Sequence, residues 1–304
     1  MEYLLSTNSL TKQYGRHKAV NAVNLHIRQG DIYGLIGRNG AGKTTILKII
    51  SGLASATDGS FTLFGKTGRQ AYEYMSRIGT LIEAPGVYPN MSAAENLKLK
   101  YLAMGVRNKE SIGELLEIVG LQNTGRKKVK NFSLGMKQRL GIALALVGNP
   151  DLVILDEPIN GLDPQGIAEV RETLSKLNKE KKITFIISSH ILEELSKIAT
   201  NYGIIHDGVL LREMTREELL AECSERIELK TDNTACACTV LEGMGITKYK
   251  VVDGSTIHIF ERLNDGGDIT MELAKHGVKT MGITVKNEAL EDYYLNLTGG
   301  AVNV

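Results

Sequence analysis

One segment of the sequence admits few folds: the glycine-rich stretch GRNGAGKT at Gly37–Thr44, which satisfies the pattern G-x-x-x-x-G-K-[ST]. The apolar run Asp31–Ile36 before it predicts a buried strand, and Thr44–Ser51 after it predicts a helix. Glycines in such a loop let consecutive backbone N–H groups converge on a phosphate, at the positive end of the helix dipole. The segment therefore predicts an α/β domain that binds a nucleoside triphosphate.

Two side chains of this loop have specific expected roles. Lys43 is predicted to reach the β- and γ-phosphates, and the Thr44 hydroxyl is predicted to ligate Mg²⁺. A glycine-rich turn with a chance lysine is the alternative, and the flanking strand and helix argue against it. The residues predicted to bind the nucleotide in this region are Gly37, Arg38, Asn39, Gly40, Ala41, Gly42, Lys43, Thr44 and Thr45.

A pair of carboxylates follows a second apolar run. Leu152–Leu155 predicts a strand, and Asp156 and Glu157 come directly after it. We expect Asp156 to orient Mg²⁺ through its water shell, and Glu157 to act on the attacking water as a general base or by positioning it. A loop start or helix cap is the alternative for such a pair taken alone. A third apolar run, Ile183–Ile187, completes a pattern typical of central parallel strands.

Further motifs make the sequence resemble the ATP-binding-cassette (ABC) ATPases from about Leu4 to Glu222. FSLGMKQR at Phe132–Arg139 stands where that family keeps its signature, before the second carboxylate strand. NGLDP at Asn160–Pro164 resembles the D-loop, and SSH at Ser188–His190 resembles the switch-histidine segment. The resemblance implies a P-loop ABC-type ATPase domain of the α/β class with an inserted helical subdomain, and an ATPase activity that uses ATP and Mg²⁺.

The resemblance also assigns residues outside the phosphate loop. Tyr14 falls where the family places an aromatic ring against adenine, and His190 where it bonds the γ-phosphate. In the family, the signature of one subunit completes the nucleotide site of another, so Ser133 and Gly135 are expected to act in trans. The chain carries one phosphate loop and one signature, which implies pairing with a second nucleotide-binding subunit, as a homodimer or with a similar chain.

Two departures from the family pattern point to a subgroup. The usual L-S-G-G-Q signature has Leu134 in place of its first glycine and Met136 at its polar end. Glu83 stands where the family usually has a glutamine, and its carboxylate can ligate Mg²⁺ or bond a water. These departures, together with Met91–Leu97 (MSAAENL) and Leu290–Leu297 (LEDYYLNL), resemble the bacitracin- and lantibiotic-type exporter ATPases.

Composition and hydropathy bear on the partners. The 304 residues include 36 Lys+Arg and 35 Asp+Glu, which gives a net charge of +1. A nearly neutral chain is not expected to bind nucleic acid through a broad basic surface. No apolar run approaches the roughly 18–20 residues that cross a bilayer, and the N-terminus has no signal-peptide pattern. The resemblance then implies separate transmembrane permease subunits, with this chain peripheral on the cytoplasmic face of the cell membrane. A soluble ABC ATPase acting on ribosomes or DNA is the alternative.

The surface that would meet a permease is also indicated by the resemblance. In the family, the region from Glu83 through the helical insertion docks the cytoplasmic loops of the permease. Val87 and Tyr88 are suited to a groove that receives a short helix. The basic run Arg126–Lys130 favours a solvated helical face over a nucleic-acid or lipid contact.

The pattern changes after the cassette and predicts a second domain. We expect an ABC-type domain at 1–222, with its helical subdomain at about 88–148, and an α+β accessory domain at 223–304. Strands and helices in the accessory domain follow a βαββαβ order, with Asp253-Gly254 as a hairpin turn, which favours a ferredoxin-like module. Ligand sensing, dimerisation and simple buttressing of the cassette all remain open for it.

Overall fold

The computed structural model describes residues 3–105, 111–223, 225–286 and 290–299. The chain divides into two compact units, Met1–Arg216 and Glu217–Val304. Because compactness alone does not establish independent domains, the limits of 1–222 and 223–304 stay predictions. In the described ranges, no helix is long and apolar enough to span a bilayer.

The first unit contains strands and helices in alternation. Its strands are β1 (Leu5–Tyr14), β2 (His17–Val23), β3 (His26–Ile27), β4 (Ile32–Ile36), β5 (Asp58–Leu63), β6 (Lys66–Thr67), β7 (Ile78–Leu81), β8 (Leu152–Asp156), β9 (Thr184–Ser189), β10 (Asn201–His206) and β11 (Val209–Thr215). Its helices are α1 (Lys43–Ile50), α2 (Gly68–Glu73), α3 (Ala93–Ala103), α4 (Ser111–Ile118), α5 (Leu134–Ala145), α6 (Pro164–Lys181) and α7 (Leu192–Ser196). Short 3₁₀ turns lie at Met75–Arg77, Gln122–Thr124 and Val129–Asn131.

A six-stranded sheet in the order β11-β10-β4-β9-β8-β7 forms the centre of this unit. The strands from β10 to β7 pair in parallel, and β11 pairs antiparallel at one edge. Every residue of β4, β8 and β9 is buried, as expected of parallel strands covered on both faces. The three apolar runs of the sequence therefore lie side by side, with β9 between the strand of the phosphate loop and the strand of the carboxylate pair.

A second, antiparallel sheet was not predicted from the sequence. It has the order β2-β1-β5-β6, with β3 also pairing to β1. Its hydrophobic alternation is interrupted, because the β1–β2 register shifts on both sides of Lys12. Leu10 of β1, Leu47 of α1 and Ile154 of β8 belong to one hydrophobic core, so α1 packs with residues from both sheets.

The helical segment between β7 and β8 comprises α3, α4 and α5. The start of α3 is a capping box, in which the Glu95 backbone N–H donates to Ser92 Oγ at 3.3 Å and the Ser92 N–H donates to Glu95 Oε2 at 2.6 Å. Hydrogen bonds from Ser92, with the nearby Lys128 ammonium, lower the pKa of Glu95 to about 2. Glu95 is therefore ionised at neutral pH, in the first turn where a negative charge favours the helix.

Replacing Gly79 by alanine is expected to destabilise the first unit. Gly79 lies in β7, and a Cβ there would fall 1.9 Å from the carbonyl oxygen of Ala145 at the end of α5. Either the strand or the helix must shift, at a cost of about 1–3 kcal/mol. Urea unfolding followed by circular dichroism measures the change. Gly113→Ala is the control, because a Cβ in that α4 position meets nothing within 4 Å. Equal midpoints for the two variants would contradict the expected clash.

The second unit begins with α8 (Arg216–Glu222), whose first residue lies at the unit boundary. It continues with β12 (Arg226–Thr231), α9 (Thr234–Gly243), β13 (Tyr249–Val251), β14 (Thr256–Ile259), α10 (Gly266–Lys275), β15 (Thr280–Lys286) and α11 (Leu290–Leu297). The sheet order β13-β14-β12-β15 with antiparallel neighbours is the ferredoxin-like arrangement that the sequence predicted. Its core includes Leu229, Leu241 and Leu273, from β12, α9 and α10.

Candidate nucleotide site

The predicted catalytic segments meet at the carboxyl edge of the central sheet. Strand register places Ile36 of β4 opposite Ser189 of β9, and Asp156 of β8 opposite Ser188. The phosphate loop leaves β4 at this edge, Glu157 follows β8, and His190 follows β9. Because these segments leave neighbouring parallel strands, side chains distant in the sequence come within hydrogen-bond reach, as ligand sites in open α/β sheets require.

At the last position of the phosphate loop before α1, the backbone conformation and the surrounding space accommodate only glycine. Gly42 has φ +104°, and a Cβ there would lie 2.3 Å from the carbonyl oxygen of Ala19. The Lys43 side chain is buried, and its Nζ donates to the carbonyl oxygens of Gly37 at 2.7 Å and Arg38 at 3.2 Å. The ammonium of Lys43 is thereby held against the loop that is predicted to bind phosphate.

Asp156 is buried and both of its carboxylate oxygens accept hydrogen bonds. Thr44 Oγ1 donates to Oδ2 at 2.9 Å, and Ser188 Oγ donates to Oδ1 at 2.5 Å. Hydroxyl and carboxylate oxygens are the ligands that Mg²⁺ prefers, so the donor set of Thr44 and Asp156 fits this cation. Ser188 was not among the predicted site residues. Its place in the switch-histidine segment beside the carboxylate strand is the signal that could have identified it.

Glu157 lies between a lysine and a histidine. Its Oε1 forms an ion pair with Lys43 Nζ at 3.1 Å, in a geometry outside that of a hydrogen bond, and its Oε2 lies 2.9 Å from His190 Nδ1. The Glu157 backbone has φ +49° and its N–H donates to Ser188, to the carbonyl oxygen at 3.2 Å and to Oγ at 3.0 Å. A non-glycine residue with positive φ is strained, so the fold holds this carboxylate in one direction through several contacts. The arrangement suits a carboxylate that accepts a proton or orients a water.

Two other predicted site residues, Tyr14 and Glu83, lie outside the phosphate loop and the carboxylate pair. The Tyr14 ring is 52% exposed at the end of β1, with the Lys12 ammonium 5.0 Å from its centroid, which leaves area for stacking. Glu83 lies in the loop between β7 and α3, where its Oε1 contacts Lys48 Nζ at 2.5 Å. Within the described residues, Glu83 forms a hydrogen bond or ion pair with neither Thr44 nor Asp156.

The signature residues lie beside the D-loop. Ser133 caps α5, accepting a hydrogen bond from the Met136 N–H at 3.2 Å. Ser133 and Gly135 line a cavity of about 450 Å³ together with Gly161 and Leu162 of the D-loop. Leu134 is 51% exposed there. The signature therefore presents an open surface at the start of α5.

A strand–loop–helix phosphate cradle, with a buried aspartate and an adjacent glutamate at the end of a nearby parallel strand, defines the first unit as a P-loop nucleoside triphosphatase. The family described as ABC transporter matches residues 20–160. The chain is 42% identical over 302 residues to the bacitracin transport ATP-binding protein BcrA of Bacillus licheniformis, covering 99% of each chain. It is 46% identical over 210 residues to the lantibiotic transport ATP-binding protein SrtF of Streptococcus pyogenes, covering 69% of this chain and 90% of that relative.

Structural comparison agrees with the sequence. The ATP-binding cassette MJ0796, solved in a dimeric post-hydrolysis state bound to ADP and Pi, matches with a TM-score of 0.63 and 26% identity, over 70% of this chain and 98% of the cassette. The chain belongs to the ABC transporter family, as an ATP-binding and ATP-hydrolysing subunit. The predicted family, fold class and ATPase activity are confirmed.

Proposed function

We propose that this chain drives a separate membrane permease that exports a peptide antibiotic, drug or similar compound. The observation that carries the proposal is the match to a bacitracin transport ATP-binding protein over 99% of both chains, which includes the second unit. The partial match to a lantibiotic transport ATP-binding protein supports the same class of cargo. In this proposal the chain lies on the cytoplasmic face of the membrane, held there by the permease.

The residues at the carboxyl edge divide the chemistry among them. Lys43 and the loop amides bind the phosphates of ATP, while Thr44 and Asp156 hold Mg²⁺. A Mg²⁺ ion held by these two residues would supply positive charge that offsets the negative charge of the phosphates. Glu157 takes the proton of the attacking water or orients it, and His190, 2.9 Å from Glu157, fixes the carboxylate and bonds the γ-phosphate. Tyr14 stacks on the adenine, and Glu83 is a further ligand or water acceptor near the metal.

The signature acts on the site of a second copy in this proposal. Ser133 and Gly135 line a cavity with D-loop residues of their own chain, and the lining of that cavity includes no residue of the phosphate loop around Lys43. The exposed start of α5, with its backbone N–H groups and positive dipole end, suits a γ-phosphate brought by another subunit. A related cassette is dimeric with ADP and Pi, which supports a homodimer around ATP.

The permease is proposed to dock in a groove between the end of β7 and the helical segment. The cavity has a volume of about 360 Å³, and its lining includes Leu53, Tyr88, Leu99 and Leu144. Tyr88 and Leu53 are 56% and 64% exposed, so large apolar side chains border the opening. An apolar groove of this kind suits one face of a short amphipathic helix.

A site-specific crosslink tests this partner. A photoreactive amino acid at Tyr88, in the full-length chain in its native cells, is expected to yield an adduct with an integral membrane protein of several spans. Met271 of α10 is the matched control, because it is also a large apolar side chain, 59% exposed, in the second unit. A ribosomal protein or DNA-bound protein crosslinked at Tyr88 would favour the soluble alternative, and the absence of a membrane adduct at Tyr88 would contradict the docking proposal.

A further inference from the structure

Lys48 and Glu83 form an ion pair at the border of the predicted metal position. Lys48 lies on α1 four residues after Thr44, so both side chains belong to one face of the helix. The Lys48 Nζ is 2.5 Å from Glu83 Oε1. This hydrogen bond raises the pKa of Lys48, and the charge of Asp156 acts in the same direction. Lys48 is therefore a charged ammonium that lies within the field of two carboxylates.

The strands explain why the two carboxylates converge. In the β7–β8 register Leu81 stands opposite Leu155, so the chain positions that follow bring Glu83 and Asp156 to the same edge of the sheet. Glu83 has φ +64°, a left-handed conformation that turns the chain just after β7. Lys48 is in contact with one of these carboxylates and under the charge of the other.

A divalent cation at Thr44 and Asp156 would change the balance of charge among Lys48, Glu83 and Asp156. Without it, one ammonium neutralises one of two carboxylates. A dication placed beside Asp156 repels the Lys48 ammonium and attracts the Glu83 carboxylate, and both effects weaken the ion pair. The pair is also partly exposed, with 32% of the Lys48 side chain and 65% of the Glu83 side chain accessible, so separating it costs little.

We propose that Lys48 is a positioning residue that competes with Mg²⁺ for the carboxylate of Glu83, holding it aside until the metal and nucleotide bind. Lys48 thereby sets how strongly the site depends on Mg²⁺. The inference rests on the proposed roles of Thr44, Asp156 and Glu83 in metal binding. It makes the loop after β7, which borders the proposed permease groove through Ile82 and Ala84, responsive to the metal.

The measurement is the affinity of a non-hydrolysable fluorescent ATP analogue for the full-length chain, in excess EDTA and in excess Mg²⁺. The dissociation constant in EDTA divided by that in Mg²⁺ reports how much the metal contributes to binding, without hydrolysis of the nucleotide. Lys48→Met, which keeps the length of the side chain and removes its charge, is expected to raise this ratio by about three- to tenfold. Lys48→Arg keeps the charge and is expected to retain the wild-type ratio.

The Glu83→Gln background identifies the cause. There Lys48→Met is expected to leave the ratio unchanged, because the carboxylate for which the ammonium competes is gone. An unchanged or lower ratio for Lys48→Met in the wild-type background would overturn the inference, as would an equal rise in both backgrounds. A failure of the nucleotide-site proposal would give a distinguishable result, because the wild-type chain itself would then show no Mg²⁺-dependent binding of the analogue.

Discussion

Replacing Glu157 by glutamine is expected to lower the turnover of ATP by at least about 100-fold while ATP binding persists. The amide has the shape of the carboxylate but cannot accept the proton of a water, and it forms no ion pair with Lys43, 3.1 Å away in the wild-type chain. Since Asp156, Thr44 and the loop backbone are untouched, the groups that bind ATP and the metal remain. The variant is expected to accumulate as an ATP-bound dimer, because hydrolysis is the step that would separate the subunits.

The measurements for Glu157→Gln are phosphate release under saturating MgATP and the molecular mass in its presence, by light scattering. Glu193→Gln is the matched control, since that carboxylate is largely exposed on α7 and pairs only weakly with Lys197 at 3.9 Å. Wild-type turnover in Glu157→Gln would contradict the assigned role. A variant that fails to bind the analogue would show instead that Glu157 supports the cradle through Lys43.

Much of the fold could be predicted because its central elements are encoded locally. The apolar runs that became β4, β8 and β9 are short, continuous and followed by motif residues, so both their conformation and their burial could be inferred. The secondary structure of the second unit could also be predicted, since its strands and helices have clear hydrophobic periodicity. The βαββαβ order favours one antiparallel sheet, which is the sheet observed.

The features of the fold and of the site that could not be predicted depend on contacts between segments distant in the sequence. The antiparallel sheet of β1, β2, β3, β5 and β6 has irregular pairing, and a shifted register removes the alternation that identifies a strand. Ser188 joins Asp156 across 32 residues because two parallel strands end together, and a serine in the sequence carries no mark of that neighbour. The Lys48–Glu83 pair, 35 residues apart, is of the same kind. Motifs thus predicted which residues assemble, and the register determined which atoms touch.

Replacing Lys43 by alanine is expected to weaken ATP binding by about 100-fold or more, because a buried ammonium that meets phosphate makes charge-assisted hydrogen bonds. The wild-type side chain is 5% exposed and makes contacts on both sides, with the loop carbonyls and with Glu157 Oε1 at 3.1 Å. Alanine removes the charge, and it leaves the Glu157 carboxylate beside the phosphates without its lysine partner. Repulsion between that carboxylate and the nucleotide then adds to the lost attraction.

Titration with a fluorescent ATP analogue in Mg²⁺ measures the loss for Lys43→Ala. Lys197→Ala is the control, because that lysine, just after α7, has a side chain that is 40% exposed and pairs with Glu194. The double variant Lys43→Ala/Glu157→Gln separates the two causes. If repulsion by Glu157 contributes, removing its charge restores part of the affinity, and the two substitutions are not additive. Tight MgATP binding by Lys43→Ala would contradict the cradle itself. Equal affinity of the single and double variants would retain the cradle and reject only the contribution from Glu157.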